Sequence, residues 1–236
     1  MKVLGVGAHP DDLEVLCGGT LARYANNGDQ VTMCYFTQGE KGHFTIPSDE
    51  LALIRADEAR QAAKLIGAEI IPLGLLDGEV CLEDADTQLK IIDVIRQAKP
   101  DVIITHAPND TYHSDHGVVS RLVLDASFHA SVPKIESAYE HHDKVPPIYY
   151  METVVGVDFQ PTIYVDISET FMTKLQMVSK HQSQVTWLKE HDNLYVLDMV
   201  ETVAKFRGWQ SGVKYAEGFC PCPVSYTHLR AHETNC

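Results

Sequence analysis

The stretch Val3-Leu4-Gly5-Val6-Gly7-Ala8-His9-Pro10-Asp11-Asp12 joins an apolar run, Val3–Ala8, to a polar box, His9–Asp12. Val3–Ala8 has the length and apolar character of a buried strand, and Glu14–Asn27 follows with helical spacing that Gly28 ends. A strand that leads straight into a helix is the first half of a βαβ unit, whose next strand runs parallel to the first. The stretch therefore predicts a parallel sheet.

The alternation of strand and helix continues through the first two-thirds of the chain. Further strands are predicted at Val31–Phe36, Ile70–Leu73 and Val102–Thr105, and further helices at Ser48–Gly67, Asp86–Ala98 and Gly117–Ala130. After Pro133 the pattern loosens, and we expect strands at Ile148–Val154 and Thr162–Val165, helices at Ser168–Gln184 and Leu194–Arg207, and a domain end at Tyr215–Phe219. The predicted class is α/β, a Rossmann-like three-layer sandwich with a mostly parallel sheet.

Composition and charge exclude several classes of function. The 236 residues are 44% hydrophobic and 22% charged, as in globular proteins. Lys+Arg 19 against Asp+Glu 33 gives a net charge of −14, which argues against a nucleic-acid partner and a polybasic membrane contact. No run approaches the roughly 20 apolar residues of a membrane span, and we expect no signal peptide. Six cysteines without framework spacing favour reduced thiols, so we expect a cytoplasmic protein.

The C-terminal residues are expected to lie outside the fold. Val224–Thr234 resembles the translation of a sequencing adapter, so residues 224–236 are predicted to be a non-native tail. The alternative is a zinc finger built from Cys220, Cys222, His228 and His232. Its Cys-Pro-Cys spacing is tighter than the roughly two to four residues that separate the cysteines of ordinary zinc modules.

Two loops carry the residues that suggest chemistry. His9–Asp12 follows the first strand, and Pro108–His116 follows the fourth. Ligands of open α/β sheets bind at the carboxyl ends of the strands, so we expect both loops to border one crevice. His9, Asp12 and His116 would offer a catalytic zinc ion two nitrogens and one oxygen, with a position open for water.

The remaining residues of these loops suggest a mechanism around such an ion. Asp11 could take the proton of the attacking water. His113 could face the substrate, and Asp115 could hold the His113 ring in one tautomer. The alternative is structural: Asp11 or Asp12 would cap the following helix, and both loop histidines would lie at the surface.

The two boxes together resemble the signatures of the PIG-L/LmbE family of zinc-dependent N-deacetylases. That family has Ala-His-Pro-Asp-Asp after strand one and His-Pro-Asp-His after strand four, where this chain has Ala8–Asp12 and His113–His116. Ser114 replaces the usual proline at a position that is not a ligand. In the C-terminal half, Asp166–Ser168, Ser183–Gln184 and Tyr215–Phe219 are similar to the bacillithiol-biosynthesis branch.

The resemblance implies a cofactor and a role for each residue. Zn²⁺ would be held by His9, Asp12 and His116, with Asp11 as the general base. His113 would stabilise the oxyanion or protonate the leaving amine, with Asp115 orienting it.

Two further residues are expected from the resemblance to contact the sugar or its aglycone, namely Arg55 and Asp77. The alternative for Arg55 is a helix-surface ion pair with Glu58, at the spacing i, i+3. The alternative for Asp77 is a role in a turn beside Gly78.

The implied reaction is removal of the N-acetyl group from an N-acetylglucosamine conjugate, with a malate aglycone favoured. Residues 1–223 would then be a single deacetylase domain that binds a small amino-sugar conjugate and forms a trimer or hexamer. One alternative is a nucleotide-binding Rossmann-type protein, although the third glycine of a Gly-x-Gly-x-x-Gly fingerprint would fall at Pro10. A non-catalytic, sugar-binding member of the family is the other.

Overall fold

A computed structural model describes residues 1–223, so the predicted tail at 224–236 lies outside the described residues. Within residues 1–223, seven strands form one sheet in the order β3-β2-β1-β4-β5-β7-β6. The strands are β1 (Lys2–Gly7), β2 (Gln30–Thr37), β3 (Glu69–Leu75), β4 (Val102–Thr105), β5 (Ile148–Met151), β6 (Ile163–Asp166) and β7 (Ala216–Pro221). The helices are α1 (Asp12–Asn26), α2 (Ser48–Lys64), α3 (Ala85–Ala98), α4 (Ser114–His129), α5 (Phe171–Val178), α6 (Gln182–Asp192) and α7 (Val196–Ser211).

The sheet is mostly parallel, which confirms the predicted class. Strand β1 pairs in parallel with β2 on one side and with β4 on the other, and β3 and β5 extend the parallel part. Only β7 is antiparallel to its neighbours β5 and β6 within the described chain. The connection changes direction between β1 and β4, and such a switch point opens a crevice at the carboxyl ends of the two strands.

Helices cover both faces of the sheet, so the predicted three-layer sandwich is also confirmed. On one face, Leu4 of β1 belongs to an apolar cluster with α3 and α4. On the other face, Val3 belongs to a cluster with α1, α2 and α5. Because neighbouring residues of β1 point to opposite faces, its continuous apolar run suits a strand buried on both sides. None of the helices in residues 1–223 combines the length and the apolarity needed to cross a bilayer.

The predicted helix Ser168–Gln184 is wrong, because the chain leaves the helix after Val178 and starts a second one at Gln182. His181 has φ −81° and ψ 59°, and its Nε2 lies 3.0 Å from Glu14 Oε1 on α1. This buried contact with a distant helix overrides the local helical pattern. The predicted strand Ile148–Val154 is also too long, since β5 ends at Met151 and a single 3₁₀ turn follows at Val154–Gly156.

Helix α1, which begins at the polar box, is fixed at an irregular turn. Cys17 leaves helical geometry with φ −141°, and the amides of Gly19 and Thr20 donate to the Glu217 carboxylate at 2.9 and 2.7 Å. Lys174 of α5 donates to the same carboxylate at 2.5 Å. These hydrogen bonds attach helix α1 to β7 and to α5. They hold the first turn of α1 at the carboxyl ends of the strands.

Candidate active site

A cavity of about 390 Å³ opens at the carboxyl ends of β1 and β4. Its size falls in the range of roughly 300–1,000 Å³ that is usual for small-molecule sites. The predicted residues that line it are His9, Asp11, Asp12, Arg55, Asp77, His113 and His116. Asp115 lies buried behind them, with Oδ2 3.4 Å from Nε2 of His9. The structure therefore brings the predicted site residues of both loops, of α2 and of the loop after β3 to one place.

Asp11 and Asp12 begin α1 without capping it. Asp11 occupies the N-cap position but makes no side-chain capping hydrogen bond, and Asp12 Oδ2 accepts a hydrogen bond from the His9 amide at 2.7 Å. The φ of Asp11 is 134°, a region that residues with a side chain rarely adopt and that costs about 1–3 kcal/mol. The capping alternative is therefore wrong, and both carboxylates line the cavity instead.

The candidate metal centre consists of His9, Asp12 and His116. All three are buried, and their ligand atoms lie within 4.8 Å of one another. His116 Nε2 is 3.5 Å from Asp12 Oδ1, and His9 Nδ1 is 3.5 Å from Asp12 Oδ2. Two imidazoles and one carboxylate match the ligands of catalytic zinc. Two further groups share these histidines, and they are His9–Asp77–His113–Asp115 and His106–Asp110–His116.

Sequence reasoning gave no role to Asp110, yet this residue supports the candidate centre directly. Asp110 Oδ2 lies 2.9 Å from His116 Nδ1, so the opposite nitrogen of the ring is directed toward Asp12. A carboxylate on the far nitrogen of a ligating histidine is the usual second partner in zinc sites. His106, also without a settled role, stacks on the His116 ring at 4.0 Å and lies 3.0 Å from Asp12 Oδ2. The signal available in the sequence was a second acidic residue, Asp110, beside Asp115 in the loop Pro108–His116.

The charges around these groups shift several pKa values. Burial lowers the pKa of His116, but the carboxylates of Asp12 and Asp110 outweigh burial and raise it to about 9. Burial and the charge of His116 lower the pKa of His106 to about 4, so His106 is neutral at pH 7. Burial raises the pKa of Asp11 to about 6, although Arg55 opposes the change. Asp11 is thus poised to exchange a proton near neutral pH.

Arg55 is buried and holds Asp11 in place. Its Nη2 donates to Asp11 Oδ1 at 3.0 Å, and its Nη1 donates to the Gly39 carbonyl at 2.8 Å. A Cβ at Gly39 would lie 2.1 Å from Arg55 Nη1, and the φ of Gly39 is +63°, so glycine is required there. Glu58 accepts hydrogen bonds from the amide and hydroxyl of Ser183 instead. The alternative of an exposed Arg55–Glu58 pair is therefore wrong.

His113 is half-buried at the rim of the cavity. The Asp115 amide donates to His113 Nδ1 at 3.3 Å, which places the proton of the neutral ring on Nε2. The Asp115 carboxylate lies closer to His9 than to His113, at 3.4 against 3.9 Å, and accepts from the Gly78 amide. Asp77 Oδ1 lies 3.1 Å from His9 Nε2 and 3.8 Å from His113 Nε2. The backbone of Asp115, rather than its carboxylate, thus fixes the tautomer of His113.

Comparison with known proteins identifies the family. The family model described as PIG-L: GlcNAc-PI de-N-acetylase matches residues 4–127. The chain belongs to the PIG-L family. The matched residues run from β1 into α4 and include both polar boxes. The predicted family is thereby confirmed.

Relatives of this PIG-L chain include deacetylases of N-acetylglucosamine compounds. It is 28% identical over 248 residues to the diacetylchitobiose deacetylase of Thermococcus kodakarensis, covering 97% of this chain and 85% of that one. It is 31% identical over 195 residues to the probable N-acetyl-alpha-D-glucosaminyl L-malate deacetylase 2 of Bacillus cereus, covering 80% and 86%.

A solved structure shows the same fold with a different reaction in its name. The 4-carboxy-2-hydroxymuconate hydratase of Pseudomonas putida KT2440 has a TM-score of 0.83 and covers 95% of this PIG-L chain and 98% of its own. At 24% identity, this likeness concerns the fold alone.

Proposed function

We propose that the chain is a zinc-dependent hydrolase that removes the N-acetyl group from an N-acetylglucosamine conjugate. The observation that carries the proposal is the convergence of His9, Asp12 and His116 in the cavity that Asp11 also lines. The PIG-L family and the two deacetylase relatives support the reaction class. Malate is one aglycone to test, since one relative carries it in its name.

The residues present fit a zinc ion. His9 and His116 offer imidazole nitrogens, and Asp12 offers a carboxylate oxygen. Asp110 contacts Nδ1 of His116 and so orients its ring. Several carboxylates face this point, and against the opposing effect of burial they raise the pKa values of both His9 and His116. When bound, the ion supplies Lewis acidity for the amide carbonyl and for the attacking water.

Asp11 is proposed as the general base. Arg55 engages its Oδ1, so Oδ2 is the oxygen that receives the proton of the attacking water. With a pKa near 6 the carboxylate is mostly ionised at pH 7 and still accepts a proton readily. Arg55 is therefore proposed to position Asp11, and its contact with the sugar or aglycone stays a prediction.

His113 is proposed to stabilise the negative charge that develops on the substrate. Its Nε2–H is available to the developing negative charge on the acetyl oxygen, where a positioned donor is most effective. Water adds to the acetyl carbon, the C–N bond breaks, the nitrogen takes a proton, and acetate leaves with the free amine as co-product. Asp77 positions the His9 ring, since its Oδ1 lies 3.1 Å from His9 Nε2 and 3.8 Å from His113 Nε2, and its contact with the sugar stays a prediction.

The remaining expectations are part of the same proposal. All seven described strands join one sheet, which supports residues 1–223 as a single deacetylase domain. The five cysteines of the described chain are free thiols, which supports a reducing, cytoplasmic location. A trimer or hexamer and a place in the bacillithiol-type branch stay predictions.

Acetate release tests the proposal. The purified chain is incubated with N-acetylglucosamine and with its malate, inositol and N-acetylglucosaminyl conjugates, with zinc added or removed by a chelator. We expect equal amounts of acetate and free amine from at least one conjugate, lost on chelation and restored by zinc. Zinc binding without acetate from any of them would contradict the proposal, and hydration of an unsaturated hydroxy acid would favour the hydratase reaction instead.

A further inference from the structure

The cavity has two unlike sides. One side is the charged floor, formed by His9, Asp11, Asp12, His113 and His116. The other side is the apolar wall, formed by Leu188 of α6, Leu194 of the α6–α7 link, and Val196 and Met199 of α7. The floor holds the reacting amide in the proposed function, so the apolar wall faces what is attached to the sugar.

Both cations that line the cavity already have partners. Among the described lining residues, Lys and Arg occur only at Lys41 and Arg55. Lys41 Nζ donates to Glu79 Oε1 at 2.8 Å and to the Asp77 carbonyl at 2.6 Å. Arg55 is engaged by Asp11 and by the Gly39 carbonyl. A carboxylate on the aglycone would therefore find no unpaired lysine or arginine among these residues.

Asp192, at the end of α6, adds a carboxylate to the lining of the cavity. The carboxylate lies 2.7 Å from Nδ1 of His191 and, after burial, raises the pKa of Tyr112, which also lines the cavity. The chain as a whole carries a net charge of −14. An anionic aglycone would be repelled by the Asp192 carboxylate and by the overall field, whereas an uncharged one gains from burying apolar surface on the wall.

The apolar wall is fixed before any ligand arrives. Ser183, at the start of α6, donates from its amide and hydroxyl to buried Glu58 at 2.8 and 2.6 Å. Gln184 donates to the Gly42 carbonyl at 3.2 Å. Further along α6, Trp187 contacts the rings of both Phe44 and His191, with centroids 4.5 and 4.3 Å away. A wall held by such contacts loses little entropy when a ligand binds.

We propose that the aglycone of the substrate is uncharged and packs an apolar face on the apolar wall. The substrate class is thus a neutral glycoside of N-acetylglucosamine, with an aryl or alkyl group or a second pyranose ring, rather than a dicarboxylate such as malate. This inference rests on the proposed function, because it concerns the same site.

A substrate panel separates the inference from the proposed function. Acetate release is compared for N-acetylglucosamine, its phenyl glycoside, diacetylchitobiose and the malate conjugate. We expect kcat/KM to be at least about tenfold higher for a neutral conjugate than for the malate conjugate, through KM. The phenyl and sugar arms show which neutral group is preferred. A malate conjugate that equals or exceeds both would overturn the inference, whereas no acetate from any substrate would overturn the proposed function.

Two arginine variants test the apolar wall itself. Leu194→Arg adds a cation to the wall, and Leu53→Arg is the matched control on the exposed side of α2, where Leu53 is 73% exposed. We expect L194R to shift the ratio of kcat/KM for malate over phenyl conjugates by about tenfold or more, and L53R to leave it unchanged. An unchanged ratio in folded L194R would overturn the inference.

Leu194→Ala provides a milder second variant, in case the buried part of the arginine stem prevents folding. We expect it to lower kcat/KM for the phenyl glycoside by roughly three- to tenfold and to spare N-acetylglucosamine, which has no aglycone. Equal losses for both substrates, or no loss for either, would contradict a contact between aglycone and wall.

Discussion

The charged floor and the apolar wall face each other across one cavity, but they are built in opposite ways. The floor comes from two short loops that follow β1 and β4, and its side chains are held by one another and by nearby backbone amides. The apolar wall comes from α6, α7 and the link between them, which follow the break in the helical pattern after Val178. Reaction chemistry is therefore encoded locally in this molecule, whereas substrate selection depends on tertiary contacts.

The largest effect is expected on the floor, at the proposed base. Asp11→Ala should lower kcat by about 10²- to 10⁴-fold, because the attacking water loses its proton acceptor. The zinc content should stay unchanged, since Asp11 is not among the three proposed ligands. Activity and metal analysis on the same preparation check both statements, with Asp57→Asn on the exposed side of α2 as the control. Loss of zinc from folded D11A would contradict the assignment.

A smaller effect is expected at Asp110, which contacts the proposed zinc ligand His116. Asp110→Asn should weaken zinc affinity by about 10- to 100-fold, because His116 loses the carboxylate that orients and polarises its ring. At saturating zinc, kcat should recover to within a few-fold of the unchanged enzyme. Competition with a coloured chelator measures the affinity, and Asp143→Asn, whose side chain is 95% exposed, is the control. Equal affinities would show that Asp110 is only a structural contact.

The pH dependence of zinc binding should follow His9 and His116. In the metal-free chain the pKa of His116 is raised to about 9, and carboxylates also raise the pKa of His9 well above its usual value, so zinc must displace a proton from each ring. Apparent zinc affinity should therefore rise with pH up to about 9, by at most about a hundredfold per pH unit while both rings are protonated. Calorimetry in two buffers of different ionisation enthalpy measures the proton released. Binding that is independent of pH between 7 and 9 would contradict this reading.

The same raised pKa predicts how the metal-free chain responds to alkali. A folded-state pKa above the unfolded value stabilises the fold fully below about pH 6.5, and this stabilisation is lost as pH rises through about 9. Urea unfolding in chelator should therefore show the free energy of unfolding falling over that window. His116→Gln should lessen the fall, leaving the part that comes from the raised pKa values of His9 and His181, and His141→Gln, at an exposed position, should not change it.

The smallest effect is expected where the apolar wall is anchored. Ser183→Ala removes one of the two hydrogen bonds to buried Glu58, so the free energy of unfolding should drop by about 1–3 kcal/mol. Ser179→Ala, whose hydroxyl is exposed, should change it by less than about 0.5 kcal/mol. Urea titrations compare the two. Equal stability of both variants would show that the Ser183–Glu58 contact does not anchor α6.

The part of the fold that sequence predicted well is the part built from local pattern. Apolar runs such as Val102–Thr105 are strands whatever lies around them, and β4 has those bounds in the structure. The floor was predicted for a related reason, since loops after parallel strands must meet at one edge.

The features that sequence missed depend on partners far along the chain. Ser183 bonds to Glu58, which is 125 residues away, and no glycine or proline marks the break at Ser179–His181. Asp110 was missed because its partner, Nδ1 of His116, is defined only once the loop is folded. The apolar wall was missed because Leu194 and Met199 fit helix and core patterns equally well.

A zinc titration of the metal-free chain tests the central claim most directly. Zinc is added stepwise to chelated, dialysed protein while acetate release from an N-acetylglucosamine conjugate is recorded. If His9, Asp12 and His116 hold the zinc ion, activity should rise from near zero and saturate at one zinc per chain. His116→Ala should show no zinc-dependent rise. Acetate release that is independent of zinc, or full activity of His116→Ala at the same zinc level, would contradict it.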